Sequence, residues 1–462
     1  MTTTSAPASS FDLIVIGGGP AGYVAAERAG AHGKKVLLIE REAHLGGVCL
    51  NWGCIPTKTL LNSAKVFYQA THSRELGIVV EGATFDLTAA QKRKQQVQDG
   101  LRNGIRGLMK KYKVTVVAGE ARLVGRGQVA VGDVQYMGTD ILIATGSRPA
   151  KPPIPGADQK HVVDSTGILG LTALPKQLVI VGGGVIGVEF ACIFASVGVS
   201  VTVIELLPEI TPGIDLAAAK LLRNELTAKG VQFHLGHKVA RIDADAVVHV
   251  DAADKEQRSA ADLVLVCVGR TPNTQGLGLE AAGVDTQRGS IVTDDRCRTN
   301  VPGIWAAGDC TSKLMLAHVA SRQAEVAVDA ICGGHDRMRW RAIPSVIYTS
   351  PEVACVGLNL AQAEKEGIPA QQASWPLAAN GRFLAEGSSK GLCLAVFHKQ
   401  TRQLLGVTLV GGSCSEMIGG FAAAIEAELR VDELTQTVFP HPTVSEAVRD
   451  AAWTLREAAT AS

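Results

Sequence analysis

The strongest constraint on this chain is that part of it occurs twice. An offset of 165 residues lays Leu13–Gly19 (LIVIGGG) on Leu178–Gly184 (LVIVGGG). The same offset places Gly22 on Gly187, Gly33 on Gly198, Val36 on Val201 and Ile39-Glu40 on Ile204-Glu205. Each copy reads as an apolar run, a glycine turn, a helix of about a dozen residues and a second apolar run ending in an acid. Apolar runs without polar alternation suit strands covered on both faces, as in a parallel sheet. The repeat predicts two βαβ units in one α/β chain.

Composition narrows what surrounds them. At 462 residues the length prior is about three domains. Lys+Arg 45 against Asp+Glu 44 gives a net charge of +1, which argues against nucleic acid or an anionic membrane as partner. Glycine, 50 residues, is in excess without any three-residue period, so it belongs at tight backbone positions. Ten cysteines are too sparse for a disulfide-stapled secreted scaffold, and Met1–Ser10 has neither a charged nor an apolar leader segment. The expected location is the cytoplasm. Between Leu178 and Ile204 the only charge is Glu189, yet the glycine triplet argues for strand, turn, helix and strand rather than a membrane span.

Between the copies, Phe85–Tyr112 is a helical stretch carrying Lys92, Arg93, Lys94, Lys110 and Lys111, read as a solvated face. Strand-like runs follow at Val114–Val117 and Ile141–Ala144. Lys151–Gly156 has three prolines in six residues and marks a boundary. Beyond about Pro344 the pattern becomes period-two strands, Leu392–Phe397 and Leu404–Val410, mixed with helices, which predicts an α+β domain.

Gly17, Gly19 and Gly22 form G-x-G-x-x-G straight after a strand, with Glu40 eighteen residues further on. Such glycines permit a tight turn, close approach to a pyrophosphate and close helix–strand packing, while the acid accepts from ribose hydroxyls. Gly182, Gly184, Gly187 and Glu205 repeat this. Two dinucleotide sites suggest electron transfer between a flavin and a nicotinamide; the competing reading makes the second copy a structural relic. Leu206-Leu207-Pro208 after Glu205 offers no cation for a 2′-phosphate, which favours NAD over NADP.

Shortly beyond Glu40, Cys49 and Cys54 stand five apart in GGVCLNWGCIPTK. On a regular helix they would be more than ~7 Å apart at Cα, so a bond between them needs a distorted backbone, for which Gly53 supplies the freedom. Lys58, four residues after Cys54, shares its helical face and favours a thiolate or a reduced flavin. Alone, such a pair is more often two unlinked buried cysteines; beside a flavin-type dinucleotide motif the redox reading is favoured. No metal site is expected, because Cys192, Cys267, Cys297, Cys310, Cys332, Cys355, Cys393 and Cys414 are scattered singly, as small hydrophobes. Near the C-terminus, Phe439-Pro-His-Pro-Thr-Val-Ser-Glu446 has two readings. Thr443 and Glu446 can form a capping box, and His441, between prolines, can shuttle a proton with a carboxylate orienting it.

Together these segments resemble the pyridine nucleotide-disulfide oxidoreductases from about residue 11 to 455. Gly46–Lys58 is similar to that family's redox-active disulfide motif in its lipoamide form, and His441–Glu446 to its His-Pro-Thr-x-x-Glu. Phe11–Tyr23, Ile141–Pro149, Ile304–Asp309, Leu316–His318 and Ser345–Thr349 look like its other segments.

The resemblance implies two Rossmann-like dinucleotide-binding domains and a C-terminal α+β dimerisation domain. The expected boundaries are 1–152 and 275–343 for FAD, 153–274 for NAD and 344–462 for the interface. It implies FAD and NAD as cofactors and NAD-linked oxidation of dihydrolipoamide, carried on a lipoyl domain of a 2-oxoacid dehydrogenase or related complex. Cys49 would be the interchange thiol and Cys54 its disulfide partner near the flavin. Lys58 and Glu189 would pair beside the isoalloxazine, with Glu189 at the NAD side. Asp309 would bind the ribityl chain, Ala317 and His318 would open a helix towards the pyrimidine, and Gly146 and Gly269 would line the FAD and NAD sites. His441 and Glu446 would act across a homodimer. Phe439 and Val319 depart from the family pattern, where a histidine and a lysine are common. A reductase of another disulfide, of glutathione or mycothiol type, is the main alternative, and a flavin electron-transfer subunit the other. A mercuric reductase is disfavoured because Ala458–Ser462 lacks a cysteine pair.

Overall fold

The apolar run at the start becomes strand β1 (Ser10–Ile16), which leads through helix α1 (Pro20–Ala31) to β2 (Val36–Glu40). All of β2 and Leu13–Ile16 are buried, the physical reason for their unbroken apolar sequence. This computed structural model describes residues 10–388 and 390–460, and the chain falls into two units. The first comprises 10–59, Gln91–Ala150 and Gly269–Arg339, and the second Leu60–Ala90, Lys151–Val268 and 340–460.

In the first unit, helix α2 (Gly47–Trp52) precedes α3 (Cys54–Thr71), in which the division between the units falls, and α4 (Leu87–Lys111) follows. Then come β3 (Thr115–Ala118), β4 (Ala121–Gly125), β5 (Gln128–Val131) and β6 (Val134–Ile143). β1 lies between β2 and β6, β3 extends the sheet beyond β2, and Ile304–Ala306 pairs with the end of β6, all parallel. The start of β6 instead joins an antiparallel meander with β5 and β4. Ile14, Ile16, Leu37, Ile39, Ile141 and Ile143 share one core. Each such side chain contributes about 1.5–3 kcal/mol on burial, a large share of a domain stability of about 5–15 kcal/mol.

The second unit repeats the plan. Gln177–Val181 leads through α5 (Val185–Ser196) to Ser200–Glu205, and α6 (Leu216–Ala228) to Gln232–Leu235. Gln177–Val181 lies between Ser200–Glu205 and Leu263–Val266, with Gln232–Leu235 at the edge, again parallel. Lys238–Ile242, Ala246–Val250 and Glu256–Ala260 form a separate antiparallel meander. The low-charge stretch 178–204 is therefore strand, turn, helix and strand, and no helix among the described residues is long and apolar enough to cross a membrane.

The remaining part of this unit holds a five-stranded antiparallel sheet, in the order Ser345–Ile347, Glu352–Gly357, Leu404–Gly411, Leu392–His398, Ala370–Pro376. Helices Cys414–Glu426 and Glu446–Thr460 pack on it through Ile418, Phe421, Val448 and Ala452. The two strands expected at Leu392–Phe397 and Leu404–Val410 lie in this sheet, but they are buried along nearly their whole length rather than on alternate residues.

Candidate active site

The two glycine turns agree down to individual hydrogen bonds. Glu40 accepts from the amides of Gly18 at 2.6 Å and Glu42 at 2.9 Å. Glu205 accepts from those of Gly183 at 2.5 Å and Leu207 at 2.8 Å. Gly46 donates to the Gly18 carbonyl, and Thr211, 165 positions later, to that of Gly183. A Cβ on Gly22 would lie 1.7 Å from the Gly17 carbonyl oxygen, and one on Gly187 2.0 Å from that of Gly182. Only glycine lets each helix pack this closely on its strand. Both acids thus pin the turn they follow, and a carboxylate with about four acceptor positions still has capacity for ribose hydroxyls.

α1 and α5 open at Gly19 and Gly184 with no side-chain cap and no acid in the first turn. The helix Ala317–Ile331 likewise opens at Leu316 without a side-chain cap. Helix starts with uncapped amides and a positive dipole end suit an anionic or acceptor-rich group. Gly46 and Gly47 both have positive φ, and Gly47 comes so close to Gly19 that a Cβ on it would lie 2.6 Å from the Gly19 Cα. The cysteine segment is thereby laid directly against the first glycine turn.

Gly53, with φ −145° and ψ −110°, interrupts the helix between the two cysteines: α2 ends at Trp52 and α3 starts at Cys54. Pro56 then falls in the first turn of α3, where a missing N–H costs nothing. The Cys49 and Cys54 sulfurs lie in hydrogen-bonding contact with each other. That contact pushes the Cys49 pKa up, burial adds to it, and the Lys58 ammonium opposes it. Tyr23 of α1 is a neighbour that sequence reasoning missed; burial raises its pKa, and the charges of Cys49, Glu27 and Cys54 raise it further.

Sequence reasoning also missed what holds α2. Gln98 of α4 donates to the carbonyls of Leu50 (3.0 Å) and Asn51 (2.9 Å), and Arg102 Nε to Asn51 Oδ1 (2.7 Å). Asn51 Nδ2 in turn reaches the carbonyls of Leu45 and Gly47. Lys92, Arg93, Lys110 and Lys111 are exposed as expected and Lys94 is half-buried, but the opposite face of α4 is a clamp.

Asp309 follows Ile304–Ala306 and accepts from Ser147 Oγ at 2.5 Å, while Arg270 Nε donates to the same hydroxyl at 2.7 Å. Ser147–Pro149 pairs with Arg270–Pro272, so Gly146 and Gly269, both with positive φ, flank one small ladder. His318 is exposed at the start of its helix, and Val319, the departure from the lysine pattern, is buried. In the second unit Glu189 is 3% exposed and accepts from the Tyr348 amide at 2.9 Å.

His441 Nδ1 lies 3.1 Å from Glu446 Oε1, and the imidazole is 80% exposed. The expected cap is altered. The helix begins at Glu446 itself, whose carboxylate accepts from the Thr443 amide at 2.9 Å, while the Thr443 hydroxyl bonds the Pro440 carbonyl and Ser445. Cap and imidazole contact are thus simultaneous. Phe439 lies against the Arg449 guanidinium, which also reaches Glu446 at 3.6 Å. Of the eight scattered cysteines, Cys192, Cys297, Cys310, Cys393 and Cys414 are buried, Cys267 and Cys355 are half-buried, and Cys332 is exposed, an exception to the small-hydrophobe reading.

Comparison with known proteins gives this arrangement a context. Residues 11–324 match the family model "Pyridine nucleotide-disulphide oxidoreductase", and 343–452 its dimerisation domain. The chain belongs to the pyridine nucleotide-disulphide oxidoreductases. A family member from Chlamydia pneumoniae, named dihydrolipoyl dehydrogenase, is 42% identical over 94% of this chain and 95% of its own. One of the same name from Rhizobium etli is 40% identical over 96% and 98%. The solved structure of the HOCl-induced flavoprotein disulfide reductase RclA from Escherichia coli superposes with a TM-score of 0.85 at 32% identity, covering 96% of this chain and 99% of that one. The chain is accordingly a flavin-dependent disulfide oxidoreductase of α/β fold with a dimerisation domain. The uncapped starts of α1 and α5 and the glycine turns fit a flavin and a pyridine nucleotide.

Proposed function

We propose that this chain is an NAD-linked dihydrolipoamide dehydrogenase that uses FAD and a Cys49–Cys54 redox disulfide. The reading rests on one observation above all: the helix break at Gly53 that brings the two sulfurs together beside the first dinucleotide turn. The relatives' names support the substrate.

FAD, when bound, would supply two-electron transfer between the sulfur pair and NAD⁺. The residues act around it as follows. His441 takes the proton of one dihydrolipoamide thiol, and the resulting thiolate attacks Cys49, breaking the disulfide and releasing Cys54 as thiolate. The second substrate sulfur displaces Cys49 from the mixed disulfide as its proton passes to the departing Cys49 sulfur, leaving lipoamide, a reduced pair and the first proton on His441. In the reduced pair the two sulfurs share the second proton in a hydrogen bond and carry one negative charge. Lys58 steadies that charge, and Glu446 orients His441 across a homodimer.

The first glycine motif with Glu40, Gly146, Asp309, Ala317 and His318 would hold FAD. The second, with Glu189, Glu205 and Gly269, would hold NAD. The domains run 1–152 with 275–343, 153–274, and 344–462. The dithiol substrate arrives on a lipoyl domain of a 2-oxoacid dehydrogenase or related complex, in the cytoplasm.

Purified holoenzyme given NADH with lipoamide, then with glutathione disulfide or mycothiol disulfide, tests this reading. Rapid NADH oxidation with lipoamide alone is expected; turnover of another disulfide with lipoamide inert would overturn it. NADPH should be a far poorer donor, because no cation follows Glu205, and equal rates with both nucleotides would contradict that argument.

A further inference from the structure

Three imidazoles that the redox chemistry does not use meet in the second unit. His234 lies on the edge strand Gln232–Leu235, His237 just beyond it, and His249 on Ala246–Val250 of the separate meander. One ring nitrogen from each lies within 4.8 Å of the other two. His249 is fully buried, and His234 and His237 are half-buried. His237 Nδ1 is 2.9 Å from His249 Nδ1, and His249 Nε2 is 3.0 Å from Ser259 Oγ. With Nε2–H donating to Ser259, His249 Nδ1 directs its lone pair towards the other rings. A second-shell acceptor fixes the tautomer of metal-bound histidines in this way.

The geometry suits an ion. Three imidazoles bound tetrahedrally at 2.0–2.1 Å would have nitrogens about 3.3 Å and ring centroids roughly 5 Å apart. The observed centroid separations are 4.5, 4.9 and 5.2 Å, with the rings tilted rather than stacked. The ligand nitrogens, 2.9 Å apart in the His237–His249 pair and within 4.8 Å across the set, reach the required ~3.3 Å by rotation of the rings about their side-chain bonds. Among the described residues no carboxylate or thiolate joins the cluster. An all-imidazole set selects zinc-like cations over magnesium or calcium, which demand oxygen. The half-buried side leaves room for water as fourth ligand.

We propose that His234, His237 and His249 form a binding site for a divalent first-row transition cation of the Zn²⁺ type. The ion would join the edge of the parallel sheet to the meander. It would also stiffen the turn after Glu205, because the His237 amide donates to the Glu205 carbonyl and the Gly236 amide to that of Leu207, each at 3.0 Å. Cysteine spacing gave no hint of the site, since its ligands are histidines on two separate sheets.

Equilibrium dialysis of the flavin-loaded, disulfide-oxidised protein against Zn²⁺ tests the proposal. Wild type should take up an equivalent that is lost in both His234→Ala and His237→Ala, whose half-buried positions tolerate truncation. Ser259→Ala should weaken binding about 10–100-fold. Anomalous scattering at the zinc edge from a Zn²⁺-soaked crystal should place the ion among the three rings. Unchanged uptake in both histidine variants, no uptake by wild type, or zinc found only at other groups would overturn the inference.

Discussion

Glu446 accepts from the Thr443 amide while facing His441, so one carboxylate both starts a helix and holds an imidazole. Its pKa is held below the usual carboxylate range, first by the Thr443 amide and then by His441 and Arg449, against the opposing effect of burial. A carboxylate whose folded pKa is depressed stabilises the fold above its unfolded pKa and loses that contribution as pH falls through the folded value. Glu446→Gln should therefore narrow the difference in Tm between neutral pH and pH about 4, measured calorimetrically; an unchanged difference would remove the carboxylate from the stability account. His441→Gln should lower lipoamide turnover by about 10²–10⁴ with flavin content unchanged, and wild-type turnover in that variant would leave Glu446 a helix-starting residue only.

At the scale of elements, the repeat makes a paired prediction. Gly22→Ala puts a methyl against the Gly17 carbonyl and should cost flavin retention, read from the absorbance ratio of the purified protein. Gly187→Ala makes the equivalent clash in the second copy and should raise the KM for NADH several-fold while the protein stays yellow. The same loss in both variants would contradict separate roles for the two turns. Arg102→Ala leaves the buried Asn51 without its donor, a penalty of about 1–3 kcal/mol. It should slow turnover while preserving flavin, and an unchanged rate would show that α2 does not need the clamp. The two βαβ units and the glycine turn between the cysteines were legible because their determinants lie within some twenty residues of one another. The clamp was not legible, because Gln98 and Arg102 lie about fifty residues from the atoms they bind and look like ordinary polar residues of a basic helix. The three-histidine cluster was missed for a different reason: its residues lie close in sequence, but they meet only when a sheet edge and a separate meander come together.

Across the whole molecule, one chain carries two copies of a nucleotide-binding plan, a sulfur pair following the first copy and a His-Glu pair in the dimerisation domain. The two apolar strands beyond Pro344 announced that last domain, but the precise start of its final helix came from Glu446 serving as first residue rather than as third. The account turns on a single pair of sulfurs changing oxidation state during turnover. Differential alkylation with mass spectrometry, before and after anaerobic addition of NADH to the holoenzyme, measures this directly. Cys49 and Cys54 should become alkylated only after NADH is added, with the other eight cysteines unchanged. Equal labelling of Cys49 and Cys54 in both states, or a gain confined to other cysteines, would contradict the account.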